Sequence, residues 1–314
     1  MRMALPLTGR KIVIAYNPTA GSGDRQQRID ALVSKLFQAD FEVVLCSHPD
    51  MLVEEVTQIA TAGDLRGVIT AGGDGTVALA INRLPAGIPL AIFPLGTENL
   101  LSRYLEHTAD AERITALFRE GKIAKLDAAT ANGRLFSLMA SCGFDAEVVR
   151  RTHAARRGNI RHWSYIKPIL TSLRTYNRPE MKVTIQHANT SETFVCRWAF
   201  ITNIPRYAGG LRFNPQAHSH DGLLDICLLK HGSIISGLRY LAGVAMGWHT
   251  SWSDVTLRQG TTIRIDSEEH VPYQLDGDPG GELPLEVHCL PERLSVIVTE
   301  TWAKEQGFVF YEAD

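Results

Sequence analysis

Three segments near the start of the chain carry residue types that hold phosphate: Asn17-Pro18-Thr19-Ala20-Gly21, Gly72-Gly73-Asp74-Gly75-Thr76 and Pro94-Leu95-Gly96-Thr97-Glu98-Asn99. Glycine lets a backbone approach anionic oxygens closely or adopt positive φ. A helix starting at such a turn offers unpaired N–H groups to an anion. Thr76 and Thr97 add hydroxyl donors. A Walker A loop is absent, which excludes the common P-loop kinases by pattern. Gly73-Asp74-Gly75-Thr76-Val77-Ala78 satisfies GxGxxA, and Glu98 follows about 20 residues on, as a dinucleotide site requires. That fit is poor, because the segment follows the third apolar run instead of the first, and a carboxylate inside the loop repels a pyrophosphate unless a metal intervenes. Any one of the three is ordinarily a tight strand-to-helix turn. Three on one sheet edge describe a phosphate cradle.

Further along, His218, His220, Asp221 and Asp225 gather oxygen and nitrogen donors within a few residues. They suit a magnesium site built on oxygens, a transition-metal site, or a solvated loop. Asp276-Gly277-Asp278-Pro279-Gly280-Gly281 sets two carboxylates about a glycine and also reads as a plain hairpin turn. Arg150, Arg151, Arg156, Arg157 and Arg161, with His153 and His162, form a basic run that suits either an anionic lipid surface or a solvated face. Trp248, His249 and Trp252 suit an interfacial foot or, more simply, packing. A Ser-His-Asp triad can be assembled on paper, but no GxSxG elbow accompanies it.

The elements that must position these groups follow from the apolar pattern. Up to about residue 125, strand-length runs at 11–16, 42–46, 67–71 and 90–93 alternate with helix-like stretches, the rhythm of a parallel α/β sheet. Asp24 precedes a stripe of Ile29, Leu32, Val33, Leu36 and Phe37, and Asp110 caps another through Ile114, Leu117 and Phe118. In such a sheet all three glycine segments lie at the carboxyl ends of strands, where ligands bind. Beyond 125 the texture becomes strand-like, at 134–142, 181–187, 193–202, 223–229, 254–266 and 283–298, interrupted by amphipathic segments at 160–176 and near 234–247. A β-rich domain is predicted there, with the boundary around 123–131.

The 314 residues, 45% of them hydrophobic, accommodate two domains at roughly 150 residues each. A net charge of −2 lacks the basic footprint of a nucleic-acid binder, so no nucleic-acid partner is expected. Five scattered cysteines without a CxxC read as reduced, buried thiols of a cytoplasmic protein. The apolar start is too short for a signal peptide, and the nearest approach to a membrane span, from Ile234 to Trp248, carries Arg239 and three glycines.

Taken together, the three glycine segments, then Gly143-Phe144-Asp145-Ala146, Asp221-Gly222-Leu223-Leu224-Asp225 and Asp276-Gly277-Asp278 in that order, resemble the diacylglycerol kinase catalytic-domain family of soluble bacterial lipid kinases and sphingosine kinases. NAD kinases share only the Gly-Gly-Asp-Gly element. The resemblance implies an α/β N-terminal nucleotide-binding domain with a parallel sheet (1–127), a C-terminal β-sandwich domain (128–298) and a last segment returning to the first domain (299–314), with ATP and lipid meeting in a cleft between the domains. It implies ATP and Mg2+ as cofactors. Nucleotide contacts would come from Asn17, Pro18, Thr19, Ala20, Gly21, Ser47, Gly72, Gly73, Asp74, Gly75, Thr76, Val77, Ala78 and Thr97. Magnesium would take the Asp221 carboxylate and the carbonyls of His218 and Leu223. Asp278 stands where the family has the glutamate taken as the base, one methylene shorter, with Asp276 in reserve, and Asp74 would arrange phosphates and magnesium. The implied reaction is γ-phosphate transfer to a hydroxyl of a diacylglycerol- or sphingoid-like lipid reached at a membrane surface, by a protein compatible with a homodimer. An NAD kinase-like activity and a silent nucleotide- or lipid-binding regulator are the alternatives. Ala78 and Leu79 replace polar residues common in relatives, and Leu100 after Asn99 replaces an acid, so the headgroup need not be that of diacylglycerol.

Overall fold

The computed structural model describes residues 9–16, 24–154 and 166–308. By its contacts the chain divides into one unit of residues 1–126 with 292–314 and a second of 127–291.

The first unit opens β1 (Lys11–Tyr16), α1 (Asp24–Gln38), β2 (Glu42–Cys46), α2 (Pro49–Thr61), β3 (Leu65–Gly72), α3 (Asp74–Arg83), β4 (Pro89–Pro94), α4 (Leu100–Tyr104) and α5 (Ala111–Glu120). Its strands run parallel in the order β2-β1-β3-β4. Ile12, Val13 and Ile14 are wholly buried, which requires the unbroken apolar run of a strand covered on both faces. Ile29, Leu32 and Leu36 of α1 enter this core with Phe93, Ile114 and Phe118, each burial worth roughly 2 kcal/mol. The Asp110 carboxylate accepts from the N–H groups of Glu112 and Arg113 and starts α5 where the sequence predicts it.

The second unit contains β5 (Lys122–Ala131, which enters it at Asp127), β6 (Arg134–Phe136), β7 (Met139–Gly143), α6 (Phe144–Ala154), α7 (Ile166–Thr175), β8 (Met181–His187), β9 (Thr190–Cys196), β10 (Trp198–Thr202), β11 (Leu224–Leu229), α8 (Ile234–Met246), β12 (Val255–Gly260), β13 (Thr262–Asp266), β14 (Pro272–Leu275), β15 (Asp278–Glu282) and β16 (Leu285–Val298, which leaves it after Pro291). One antiparallel sheet runs β12-β11-β10-β7-β14-β15, and a second runs β16-β13-β8-β9. Val183, Ile185, Ile263 and Ile265 of the latter pack with Ala140, Cys142, Ala199 and Ile201 of the former, which makes a sandwich core. The alternate residues Trp198 and Phe200 point to the opposite face, against Phe144, Val148, Tyr240 and Val244 of α6 and α8. Of the five cysteines, all free, four are buried and Cys289 is half-buried.

Three predicted strand runs are each two strands. The run 134–142 breaks because the N–H groups of Ser137, Leu138 and Met139 all donate to the Asp276 carboxylate instead of to a neighbouring strand. The run 193–202 breaks at Arg197, where β9 pairs with β8 while β10 pairs with β7 and β11 in the other sheet. The run 254–266 breaks at Thr261, whose N–H goes to the Gln186 carbonyl. Local apolar patterning cannot register a change of sheet. The expected boundary segment 123–131 falls within a strand, β5.

From Glu292 onward the chain belongs to the first unit, ahead of residue 299, because Ser295 and Val296 pair in parallel with Pro89 and Leu90 of β4. A short α9 (Glu300–Glu305) follows, and its Trp302 indole donates to the Tyr104 carbonyl. His107 ties this return in place: its Nδ1 accepts the Ile92 N–H at 3.1 Å and its Nε2 lies 2.8 Å from the Ile297 carbonyl.

Candidate functional site

In the first unit the glycine turns after β3 and β4 touch. Gly72 and Pro94 are paired as the last residues of their strands, and the Leu95 N–H donates to the Gly72 carbonyl at 2.8 Å. A Cβ placed on Gly96 would come within 2.5 Å of the Gly73 Cα, so the contact requires glycine. Asn99 holds the second turn closed, accepting from the Gly96 N–H at 3.0 Å and donating to the Gly96 carbonyl at 2.8 Å. Asp74 stands in the first turn of α3, where the helix dipole favours a negative charge. Beside it, a cavity of about 230 Å³ is lined by Tyr16, Ser47, His48, Gly75, Thr76 and Leu79, among others. The structure therefore brings Ser47 to the same opening as Gly75 and Thr76. Val77 and Ala78 are buried side chains of α3, while Thr97 is exposed on the second turn. The first glycine segment, Asn17 to Gly21, lies outside the described residues.

In the second unit Asp276 (φ 52°) and Gly277 (φ 87°) form the two-residue turn between β14 and β15, so the hairpin reading of this segment is correct. The two carboxylates are not equivalent. Asp276 accepts from the N–H groups of Ser137, Leu138 and Met139 at 2.8–3.0 Å and from the Ser137 hydroxyl at 3.2 Å. Burial raises its pKa, and these donors pull it back down. With both oxygens engaged it braces the turn. Asp278 stands half-exposed, its oxygens 3.4 Å from His153 Nε2 and 3.6 Å from Arg134 Nη2. Gln274, wholly buried, accepts the Gly277 N–H at 2.7 Å and donates to Ser141 and Asp145. Asp145 also receives the Tyr207 and Ser141 hydroxyls; burial raises its pKa against those bonds.

The 218–225 loop is organised around carboxylates. Asp221 accepts the Leu223 N–H at 2.9 Å, and Gln259 reaches Asp221 at 3.3 Å and Asp225 at 3.1 Å. Burial, then the neighbouring Asp221 charge, pushes the Asp225 pKa up to about 6, and its Oδ2 is buried without a hydrogen-bond partner. An exposed carboxylate close to an unsatisfied buried carboxylate oxygen fits a hard divalent cation, which prefers oxygen ligands. The transition-metal alternative fails: no three His, Cys, Asp or Glu side chains among the described residues gather closely enough to hold such an ion. Asp127, also wholly buried, accepts the Gly222 N–H at 2.7 Å, and Asn203 donates to the carbonyls of both Asp127 and Ser137. A hydrogen-bonded path thus joins the 221 loop to the 276 hairpin. Gln274, Asn203, Asp127 and Arg134 were missed in the sequence, and His153 was read there only as part of the basic run. Of the missed residues only Asp127, a carboxylate between Leu126 and Ala128, left any signal there.

The described part of the basic run is answered internally. Arg150 and Arg151 both pair with buried Glu147, at 2.8 Å and 2.5 Å, and His153 faces Asp278. Arg156, Arg157, Arg161 and His162 lie outside the described residues. Of the aromatic trio, His249 is buried on the Phe213 carbonyl and Trp252 packs against Gly243, so only Trp248 is outward.

A parallel α/β unit with glycine turns on one strand edge and an antiparallel sandwich make up a two-domain fold shared with solved structures of diacylglycerol kinases and of an NAD kinase. The diacylglycerol kinase catalytic domain model matches residues 11–131, and that of the YegS C-terminal NAD kinase beta sandwich-like domain matches 139–298. The chain belongs to the diacylglycerol kinase catalytic-domain family. It is 26% identical to a diacylglycerol kinase of Mycobacterium tuberculosis over 91% of this chain and 94% of that one. A crystal structure of a diacylglycerol kinase from Bacillus anthracis superposes with a TM-score of 0.69 at 25% identity, covering 95% of this chain and 99% of the other. An NAD kinase from Archaeoglobus fulgidus in complex with ATP shares the fold, with a TM-score of 0.51 at 12% identity over 94% and 96% of the two chains.

Proposed function

We propose that this protein is an ATP-dependent lipid kinase that transfers the γ-phosphate to a hydroxyl of a diacylglycerol- or sphingoid-like lipid. The observation that carries the reading is the contact of the two glycine turns at the ends of adjacent parallel strands, beside a cavity edged by Ser47 and Thr76. Phosphoryl transfer asks a protein for positioning and charge stabilisation more than covalent chemistry. Backbone N–H groups at the start of α3 and the hydroxyls of Thr76 and Ser47 would hold phosphate oxygens. Asp74 would orient them, and Asn17 to Gly21, Val77, Ala78 and Thr97 complete the proposed nucleotide set. A magnesium ion, held by Asp221 and the carbonyls of His218 and Leu223, would brace the 218–225 loop. Asp278 is assigned the acceptor's proton, because it is the carboxylate of the hairpin whose oxygens are not committed to backbone N–H groups. Arg134 and His153 orient it.

The test is incubation with magnesium and ATP labelled at the γ-phosphate in the presence of a total lipid extract, followed by identification of the labelled product. A phosphorylated lipid alcohol is expected, and Asp74→Asn should abolish it without unfolding the protein. In a parallel incubation with NAD, label on the dinucleotide instead would mark an NAD kinase-like activity. ATP binding without turnover would mark a silent regulator.

A further inference from the structure

Helix α8 carries its large apolar residues on the outside. Its buried side is built from Gly237, Tyr240, Gly243 and Val244, and the glycines bring the helix down onto Trp198 and Trp252. A Cβ on Gly243 would lie 2.3 Å from the Trp252 ring. Ile235 is 81% exposed, Leu238 54%, Met246 58% and, just past the helix, Trp248 61%. Ile235, Leu238 and Met246 recur at helical spacing and form one stripe. The helix contains no Asp or Glu. Its one cation, Arg239, pairs with Asp254 and lies 4.2 Å over the Trp252 ring, which leaves the stripe uninterrupted by charge.

At the N-terminal end of the same helix the surface opens into a cavity of about 490 Å³. Arg178, Arg197, Lys230 and His231 line it, against a single carboxylate, Glu180, which Arg197 engages at 3.2 Å. An apolar stripe with a cationic cavity at one end of the same helix matches the two layers of an anionic bilayer surface, acyl boundary and phosphate headgroup.

We propose that the outer face of α8 is the surface on which this protein lies against an anionic membrane, with lipid phosphate at the Arg178–Lys230 cavity and Ile235, Leu238, Met246 and Trp248 in the interfacial layer. The proposal rests on the lipid-acceptor reading, since such a substrate is held in a bilayer. Tryptophan at one end of the stripe suits the membrane–water boundary. A second copy of this chain is the poorer occupant: an isologous contact covers the apolar stripe but offers no anion to the cationic cavity.

The experiment is flotation with vesicles of phosphatidylcholine, with and without phosphatidylglycerol, in the absence of ATP so that docking is read apart from turnover. Wild type should float with the anionic vesicles, with a blue shift of tryptophan emission that Trp248→Phe removes. Ile235→Ser/Leu238→Ser should weaken binding by about tenfold or more through lost apolar insertion. Lys230→Gln should weaken it about fivefold on anionic vesicles and leave phosphatidylcholine vesicles unaffected. Both variants should keep the wild-type melting temperature and phosphorylate a short-chain diacylglycerol in free solution as wild type does. If wild type ignores anionic vesicles, or the double variant binds them undiminished, α8 is not the docking surface. If sedimentation finds a wild-type dimer that the double variant dissolves while vesicle binding persists, the face belongs to a second copy and the proposal is overturned. Failure of wild type to phosphorylate either a short-chain diacylglycerol or a short-chain sphingoid base would defeat the acceptor reading alone, because the vesicle arms stand without it.

Discussion

Asp276 and Asp278 lie two residues apart, yet their hydrogen bonds assign them opposite work. Removing the acceptor of three backbone donors strands buried N–H groups, so Asp276→Ala should cost at least about 3 kcal/mol in urea unfolding. Asp278 is half-exposed and makes only long ion pairs, so Asp278→Asn should change stability by less than about 0.5 kcal/mol. Its effect belongs in turnover, where loss of a general base lowers kcat about 100-fold or more. ATP affinity should hold, and Asp278→Glu should retain or raise activity. A fully active Asp278→Asn beside a stable, inactive Asp276→Asn would reverse the two assignments. Gly96→Val gives a separate reading of the nucleotide turns: its Cβ, 2.5 Å from the Gly73 Cα, must force them apart and raise the KM for ATP while leaving vesicle docking untouched.

Among the elements of the first unit, the C-terminal return depends on a histidine. Buried between β4 and β16, His107 is held neutral, its pKa pushed down by burial to about 4 from 6.5, while its bond to the Ile297 carbonyl opposes the shift. Between those two values the unfolded chain binds more protons than the folded one. The contribution is therefore full above about pH 6.5 and is lost as pH falls toward about 4, a total of about 3 kcal/mol. Urea midpoints measured across that window should fall with acid, and His107→Gln should flatten the slope. An unchanged slope in the variant would mean that other groups carry the acid sensitivity. The same element carries the unit boundary: β16 begins in the sandwich and ends against β4, where Ser295 pairs with Pro89.

For the molecule as a whole, the proposed magnesium site should be visible in thermal unfolding, since an ion that binds only the folded state stabilises it by mass action, about 2.7 kcal/mol at a hundredfold excess over Kd. Melting temperature should rise with magnesium in wild type and not in Asp221→Ala. If chelation leaves the wild-type melting temperature where it was, the 218–225 loop is not a cation site, and the buried, unpartnered Oδ2 of Asp225 needs another explanation.

The parallel strands, the Asp110 cap and the glycine turns could be read from the chain because each is a local matter: an apolar run, a short polar side chain before a helical stripe, a glycine where backbones must approach. The order of motifs likewise led to the family. The partners of those motifs could not be read. Asp276 reaches Ser137 across 139 residues, Gln274 reaches Ser141 across 133, and Asn203 reaches Asp127 across 76. Bonds between positions so far apart leave no periodic trace, and the strand breaks at Arg197 and Thr261 are equally silent because an apolar run looks the same on either sheet. The outward stripe of α8 is of the same kind. Its pattern promises an amphipathic helix, but which side is buried depended on the two tryptophans that its glycines meet, Trp198 and Trp252, and those are brought there only by the folded sandwich.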